Sequence, residues 1–354
     1  MGIQPVTPRG FSPRQSIGAV ELKSPLTAAN QVVATIKSLI NSGALIMTVD
    51  FALGRFKNAL AEAGVSRKII DTLIKLNLDH HDGINPGKTA TEVALAKIER
   101  HPRLFYGNYV VLSDQVIDAD NVCGTFALLN PGMAKQYKAI LAGAARYGDY
   151  YDKVNDAAMK LVLTIDAMRF GKNKFGQPFF KLTAEQQGEL FNEILEAMPK
   201  MLANIEQFKD LYEGELAKLK SEEERAIKEN LIVPVSDHVA VVDDPKLPRS
   251  TMYQLSDRAV VISRTDLGDG KSIYNPVGLN PRVADYNLLG LWQKLRNLEN
   301  SERAKKGIPA LDDNQNWGGR EVAGGSNRSE TIGSILTLEQ VAQAIEEFIQ
   351  PLRT

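Results

Sequence analysis

The chain has 354 residues, of which 44% are hydrophobic and 24% charged, and these ordinary globular values exclude collagen-like and disordered proteins. Its 42 Lys and Arg residues are balanced by 43 Asp and Glu residues, so the sequence offers no excess positive charge for a long nucleic-acid duplex. The single cysteine and the lack of any apolar run near the roughly 20 residues of a membrane span predict a cytoplasmic protein outside the membrane.

The N-terminal half begins with an arm and then alternates helices with strands. Residues 1–26 are rich in proline, serine and glycine, which predicts an arm without regular structure. Apolar residues at helical spacing follow from Thr27 to Ile40, and residues 44–49 read as a strand. Further helices are predicted at residues 55–62 and 66–76. This alternation indicates an α/β domain with a mostly parallel sheet and flanking helices.

A second strand and helix frame an acidic segment. Residues 89–100 are predicted to be helical, residues 109–112 form an apolar strand, and a helix is predicted from Val122 to Leu129. The segment from Asp114 to Asn121 therefore lies between a strand and a helix. In open α/β sheets, ligands bind at this carboxyl edge.

The rest of the chain divides into a helical part and a smaller mixed part. Helices are predicted at residues 135–145 and 156–169 and within 183–229. Strand-like runs at residues 233–242 and 259–263 begin a different pattern. We therefore predict an α/β domain over residues 27–229, which carries the metal site, and a mixed α+β domain over 230–354 with a glycine-rich loop.

A histidine-rich tetrad is the first candidate site. Asp79, His80, His81 and Asp82 contain two of the four histidines of the chain. Carboxylates and imidazoles together suit divalent ions such as Mn²⁺. We predict Asp79 and His80 as metal ligands and His81 as a catalytic group. The alternative is a polar surface loop.

The acidic segment is the second candidate site. Asp114, Asp118 and Asp120 precede a helix, and three carboxylates in so short a stretch invite a cation. If they face the histidine tetrad, the combined set can bind Mn²⁺ or Mg²⁺, polarise a phosphoryl group and produce hydroxide from bound water. The alternative is an acidic turn that only caps the helix.

These two segments resemble motifs of the DHH phosphoesterase superfamily. Asp79-His80-His81 is similar to its signature triplet, and Asp118-Ala119-Asp120 is similar to its aspartate-rich motif, although the two occur here in reverse order. The resemblance implies a manganese-dependent enzyme that cleaves phosphoester or phosphoanhydride bonds. The chain also resembles a group of uncharacterised bacterial proteins through Thr91-Glu92 and the segment 126–131.

A glycine-rich segment near the C-terminus extends the resemblance. It contains Gly318, Gly319 and Arg320, followed by Gly324, Gly325 and Arg328, and it is similar to the substrate loop of those enzymes. Glycines allow backbone amides to approach an anion closely, and arginine binds phosphate or carboxylate through its planar fork. These six residues are the predicted substrate-binding residues. A plain glycine-rich turn is the alternative.

The main hypothesis is a metal-dependent hydrolase that acts on a small anionic, phosphorylated substrate. A second hypothesis keeps the metal but replaces the phosphate by a carbonyl or carbon–nitrogen substrate. A third is a non-catalytic assembly protein whose interface is the helical region 183–229. The sequence leaves open whether the chain forms a homo-oligomer.

Overall fold

A computed structural model describes most of the chain. The described residues are 25–43, 45–50, 53–78, 88–105, 109–113, 117–152, 154–171, 173–280, 283–284, 287–313, 315–319, 322–327, 329 and 332–353. They form two compact units, the first within Met1–Asp149 and Val154–Glu215 and the second within Tyr150–Lys153 and Leu216–Thr354. The division near residue 215 falls within a helix, whereas the sequence places the boundary at residue 229. The arm predicted over residues 1–26 lies almost entirely outside the described residues.

The first unit alternates helices and short strands before it becomes helical. In chain order its elements are α1 (Pro25–Asn41), β1 (Leu45–Val49), α2 (Lys57–Glu62), α3 (Arg67–Leu76), β2 (Asn77–Leu78), α4 (Ala90–Arg100), β3 (Tyr109–Ser113), α5 (Ala119–Leu129), α6 (Pro131–Gln136), α7 (Lys138–Tyr150), α8 (Asp156–Phe170) and α9 (Ala184–Ala203). Helix α10 (Lys209–Lys228) continues into the second unit.

Side-chain caps explain where several of these helices begin. The Ser66 hydroxyl accepts a hydrogen bond from the Ile69 amide at the start of α3. At the start of α4, Thr89 and Glu92 form a reciprocal capping box. Such caps satisfy amides that have no partner inside the helix.

The sheet of the first unit has the order β2-β1-β3, and both strand pairs are parallel. Val49 pairs with Leu78 on one side and with Ser113 on the other. The three strands therefore end together at one edge of the sheet, and the residues that follow them in sequence are Asp50, Asp79 and Asp114.

Alternate strand residues contact two separate hydrophobic cores, as the two-residue period of a strand requires. Met47, Val49 and Val111 pack into the core that contains α4, α5 and α9. Ile46 and Leu112 pack into the core that contains α1 and α3. Both faces of the sheet are covered by helices, which places the sheet edge at the end of a packed layer.

Helix α5 begins earlier than the sequence predicts. The prediction places the helix start at Val122, but the helix begins at Ala119 because the Asp118 side chain accepts a hydrogen bond from the Asn121 amide. Asp120 therefore lies in the first turn of a buried helix and not in a loop. The position of Asp120 in a helix, and not in a loop, determines which atoms of its side chain are accessible.

The second unit contains a six-stranded mixed sheet with helices against it. Its elements are β4 (Ile232–Pro234), β5 (Val239–Val242), α11 (Arg249–Leu255), β6 (Val260–Gly268), β7 (Lys271–Leu279), α12 (Leu289–Lys305), β8 (Gly318–Gly319), β9 (Ala323–Gly325) and α13 (Leu338–Ile349). The strand order is β4-β5-β6-β7-β9-β8, and only the pair β5-β6 is parallel among the pairs described.

The architecture confirms the predicted mixed α/β class, with a small parallel sheet in one unit and a mixed sheet in the other. The helical region predicted at residues 183–229 contains α9 and α10. In the described part of the chain, no helix is both long enough and apolar enough to cross a membrane.

Candidate functional site

The first candidate residue is Asp50, which directly follows β1. It is 6% exposed, and its φ of 47° is uncommon for a residue other than glycine. The Asp50 amide donates a hydrogen bond to the Leu78 carbonyl at 3.3 Å, which ties it to the end of β2. Backbone conformations of this kind are enriched at functional sites.

Of the predicted metal ligands, Asp79, His80 and Asp114 lie outside the described residues, as does the predicted catalytic residue His81. Asp79 and Asp114 are the residues that follow β2 and β3 in sequence. Asp79 and Asp114 are therefore assigned to the candidate site only because they follow strands that end at the same sheet edge. Asp118 and Asp120 are described.

Asp120 joins the beginnings of two helices. It is fully buried, and its two carboxylate oxygens accept hydrogen bonds from the Ala90 and Thr91 amides of α4, each at 2.7 Å. The Thr91 hydroxyl donates to the Asp120 carbonyl at 2.9 Å. An anion at the positive end of α4 is electrostatically favoured. Asp120 thus fixes α5 against α4.

Asp149 reaches the same region from the end of α7. The preceding residue, Gly148, allows α7 to approach α5 closely, because a Cβ atom at position 148 would lie only 3.0 Å from the Ala119 Cβ. Besides burial, a side-chain hydrogen bond with Asp120 is one of the causes that raise the pKa of Asp149. Asp50, Asp118, Asp120 and Asp149 therefore converge, and we refer to these four residues as the aspartate cluster.

The electrostatics of the aspartate cluster reflect crowded negative charge. Burial raises the pKa of Asp149 well above its usual range, and the charges of Asp120, Asp118 and Asp50 raise it further. Like charges in a poorly solvated place disfavour simultaneous ionisation. The cluster therefore disfavours simultaneous ionisation of its acids, and a bound cation would offset that repulsion.

Cys123 lies on α5 beside this cluster. It is fully buried, and burial followed by the charges of Asp120 and Asp118 raises the pKa of its thiol well above the usual value. A thiol that stays protonated is a poor nucleophile. Cys123 is therefore a packing residue of the α5 core.

The described residues supply only part of a metal-ligand set. Within them, no group of three or more His, Cys, Asp or Glu side chains is arranged to hold an ion. Asp120 directs both oxygens at amides, and Asp118 uses Oδ1 as a helix cap. The donor chemistry, carboxylate oxygen, nevertheless suits Mn²⁺ or Mg²⁺. A complete set requires the acidic residues that follow β2 and β3.

The glycine-rich segment lies in the second unit and borders a polar cavity of about 630 Å³. Its lining includes Gly318, Gly319, Gly324 and Gly325, which the sequence predicts as substrate-binding residues. The other lining residues are Arg249, Asn275, Pro276, Asn316, Ala323, Ser326, Asn327 and Ser329. Arg320 and Arg328 lie outside the described residues.

Packing alone explains some of these glycines. A Cβ on Gly319 would lie 2.4 Å from the Gly324 Cα and 2.8 Å from Trp292 Cε2, whereas none of the described atoms lies within 4 Å of a Cβ on Gly318. We therefore expect Gly319→Ala to lower the free energy of unfolding by about 2 kcal/mol through overpacking. Gly318→Ala, the matched control, is expected to change it by less than about 0.5 kcal/mol.

Chemical denaturation of both variants tests this difference. Equal unfolding free energies for the two variants would show that close packing does not select glycine at position 319. A ligand role would then be the better explanation of both glycines.

Two residues of these sites were not identified as candidates from the sequence. Asp50 directly follows the strand predicted at residues 44–49. Ligands bind at the carboxyl ends of strands in open α/β sheets, and this rule, which identified Asp114, applies equally to Asp50. Arg249, a cation at the glycine-lined cavity, has no signal in the local sequence.

Comparison with known proteins adds one finding. Residues 77–272 match the model of a family of unknown function, DUF6687, and this match covers more than half of the chain. It contains Asp118, Asp120 and Asp149, whereas Asp50 and the glycine-rich segment lie outside it. No curated protein matches the sequence.

Proposed function

We propose that this chain, which belongs to the DUF6687 family, is a divalent-metal-dependent hydrolase of small anionic, phosphorylated substrates. The observation that carries the proposal is the convergence of Asp50, Asp118, Asp120 and Asp149 next to the edge where three parallel strands end. Enzymes with open α/β sheets place their ligands at this edge. The partial resemblance to DHH phosphoesterases supports the same reaction class.

The first step of the argument concerns charge. Asp149 shares a buried region with three other aspartates, and the structure opposes its ionisation there. A bound divalent cation reverses this effect, because the cation becomes the largest local charge and favours ionised carboxylates. The aspartate cluster is therefore suited to bind a divalent cation, and the bound cation would keep its carboxylates ionised.

The second step concerns which residues bind the ion. No three described acids are arranged to share an ion, so only Asp50 and Asp149 are the proposed ligands from the described residues, while Asp118 caps α5. Asp79, His80 and Asp114 complete the set in our proposal, since their positions follow the ends of β2 and β3. Asp120 accepts hydrogen bonds from two backbone amides of α4, so its proposed role is to position α5 and orient Asp149.

The third step concerns the chemistry. A bound Mn²⁺ or Mg²⁺ supplies Lewis acidity toward a phosphoryl oxygen and lowers the pKa of a bound water. His81 is proposed to transfer a proton in this site. Within the second unit, the glycine-lined cavity with Arg249 in its lining is proposed to bind an anion in its own right, and Arg320 and Arg328 remain predicted substrate-binding residues.

The metal proposal is tested by titrating metal-free protein with Mn²⁺ in a calorimeter. Asp149→Asn is expected to weaken Mn²⁺ binding about tenfold or more, because the amide cannot supply an anionic ligand. Asp210→Asn, an exposed acid on α10, is the matched control and is expected to leave the affinity unchanged. Equal affinities of the wild type and Asp149→Asn would contradict the proposal.

The same variant has an opposite expected effect on stability without metal. The folded pKa of Asp149 is raised, so its ionised form destabilises the fold, and this cost grows as pH rises from about 4 through the folded pKa. Asp149→Asn is therefore expected to be more stable than wild type in EDTA at pH 8, with a smaller difference at pH 5. Thermal denaturation at both pH values measures this.

Hydrolysis assays separate the reaction classes. With Mn²⁺, we expect turnover of a model phosphodiester and none of a model amide. Turnover of the amide alone would favour the carbonyl or carbon–nitrogen hypothesis. Inactivity toward both substrates, with no bound Mn²⁺, would favour the assembly-protein hypothesis.

A further inference from the structure

Arg169, in the last turn of α8, has an unusual environment. Its guanidinium carbon lies 4.4 Å from the centre of the Phe170 ring and 4.6 Å from the centre of the Phe179 ring. The two rings meet edge to face at 6.0 Å. Cation–π contacts of this kind hold a guanidinium in one orientation. The described contacts that hold this arginine are therefore with aromatic rings.

One donor of this side chain has no acceptor among the residues that the structure describes. Its Nε atom is buried and donates to no acceptor in the described stretches of the chain. The ion pairs formed within 4.0 Å among the described residues do not include Arg169, although Asp166 lies one turn earlier on the same helix. A guanidinium carries five N–H donors and gains most when it binds a carboxylate or phosphate through two of them.

The charges of Asp118 and Asp166 both act on Arg169. Burial lowers the pKa of Arg169, while the charges of Asp118 and Asp166 raise it, so the group stays protonated. Asp118 belongs to the cluster and caps α5. An arginine that served only to balance these carboxylates would form an ion pair with one of them. The Phe170 and Phe179 rings instead hold the guanidinium, and none of the described carboxylates lies within 4.0 Å of it.

We infer that Arg169 is the anion-binding residue of this site, where its guanidinium binds a phosphoryl oxygen of the substrate next to the aspartate cluster. This inference rests on the proposed hydrolase function and names a residue that determines specificity for an anionic substrate. Phe170 and Phe179 preorganise the guanidinium, which reduces the entropy lost when the anion binds.

Inorganic phosphate is the probe for this inference, titrated calorimetrically into protein loaded with Mn²⁺. Arg169→Gln is expected to weaken phosphate binding about tenfold or more, through loss of a charge-assisted pair of hydrogen bonds. Arg169→Lys, which keeps the charge but not the fork, is expected to recover part of the affinity.

Lys174→Gln is the matched control. Lys174 also lies over a phenylalanine, 5.0 Å from the centre of the Phe175 ring, but it pairs with Glu189 at 2.9 Å. Its replacement is expected to leave phosphate affinity within about twofold, as for a surface charge. Mn²⁺ affinity and thermal stability, measured on each variant, report whether Arg169→Gln remains folded with its metal site intact.

The outcomes distinguish this inference from the metal proposal. Phosphate binding that is equal in wild type and Arg169→Gln overturns the inference, as does an absence of phosphate binding by the Mn²⁺-loaded wild type. If the wild type binds phosphate through Arg169 but binds no Mn²⁺, the inference holds and the metal proposal fails. If Arg169→Gln unfolds, a weakened phosphate affinity of folded Arg169→Lys supports the inference and an unchanged affinity overturns it.

Discussion

Asp120→Asn is expected to lower the free energy of unfolding of the first unit by about 3 kcal/mol, because a fully buried charge-assisted contact is lost. The Asp120 carboxylate accepts from the Ala90 and Thr91 amides, each at 2.7 Å. Asparagine has one acceptor oxygen and places an NH₂ group against the other amide. That amide then stays buried without an acceptor.

The neighbouring carboxylate partly offsets this loss. The charge of Asp120 raises the pKa of Asp149, so removing the charge relieves some repulsion inside the cluster. The two lost amide contacts involve a residue with no solvent exposure, and their loss dominates. The net effect is therefore expected to be destabilising.

Hydrogen exchange is the appropriate measurement, because a chain of two units need not unfold in one step. Peptides from α4 and α5 are expected to lose protection in Asp120→Asn, while peptides from the second unit keep theirs. Asp118→Asn is the control, since asparagine caps a helix as well as aspartate does and the expected change is below about 0.5 kcal/mol. Protection of α4 equal to that of wild type would refute the assigned role of Asp120.

Glu299→Gln is expected to destabilise the second unit by about 3–5 kcal/mol, because it leaves a buried guanidinium without its anionic partner. Glu299 is 0% exposed and Arg303 5% exposed. Oε1 of Glu299 accepts from Arg303 Nε at 2.8 Å and from the Ile335 amide at 3.2 Å. Oε2 accepts from the Ser334 hydroxyl at 2.5 Å and from Trp317 Nε1 at 3.3 Å.

This network also supports the glycine-lined cavity. Trp317 directly precedes Gly318 and stacks on Tyr274 with ring centres 5.5 Å apart. Loss of the Glu299 charge therefore loosens the segment that leads into the cavity wall. Increased hydrogen exchange in the region 315–319 is expected to accompany the loss of stability.

Glu302→Gln provides the control on the same helix. Glu302 pairs with Lys305 at 2.6 Å, but the lysine side chain is 67% exposed, so water screens the pair and its loss is expected to change stability little. Chemical denaturation monitored by tryptophan fluorescence is suited to the comparison, since Trp292 and Trp317 are both buried in this unit. Equal destabilisation by Glu299→Gln and Glu302→Gln would show that the buried network around Glu299 adds no more stability than an exposed ion pair.

The local sequence determined much of the first unit. Helical periodicity predicted α3 and α4 to within one residue of their bounds. Apolar β-branched runs predicted β1 and β3, and hence an acidic residue after a strand at Asp114. These features depend on residues close together in the chain, so a one-dimensional pattern encodes them.

Only the tertiary structure decided how the acids are used. The neighbouring sequence predicts Asp120 as a metal ligand. In the structure its carboxylate oxygens instead accept hydrogen bonds from backbone amides about thirty positions earlier in the chain. Asp149 joins the cluster because Gly148 lets α7 approach α5, and Arg169 contacts the Phe179 ring, which comes ten positions later in the sequence. Such contacts depend on which surfaces pack together, and no local period or spacing specifies that.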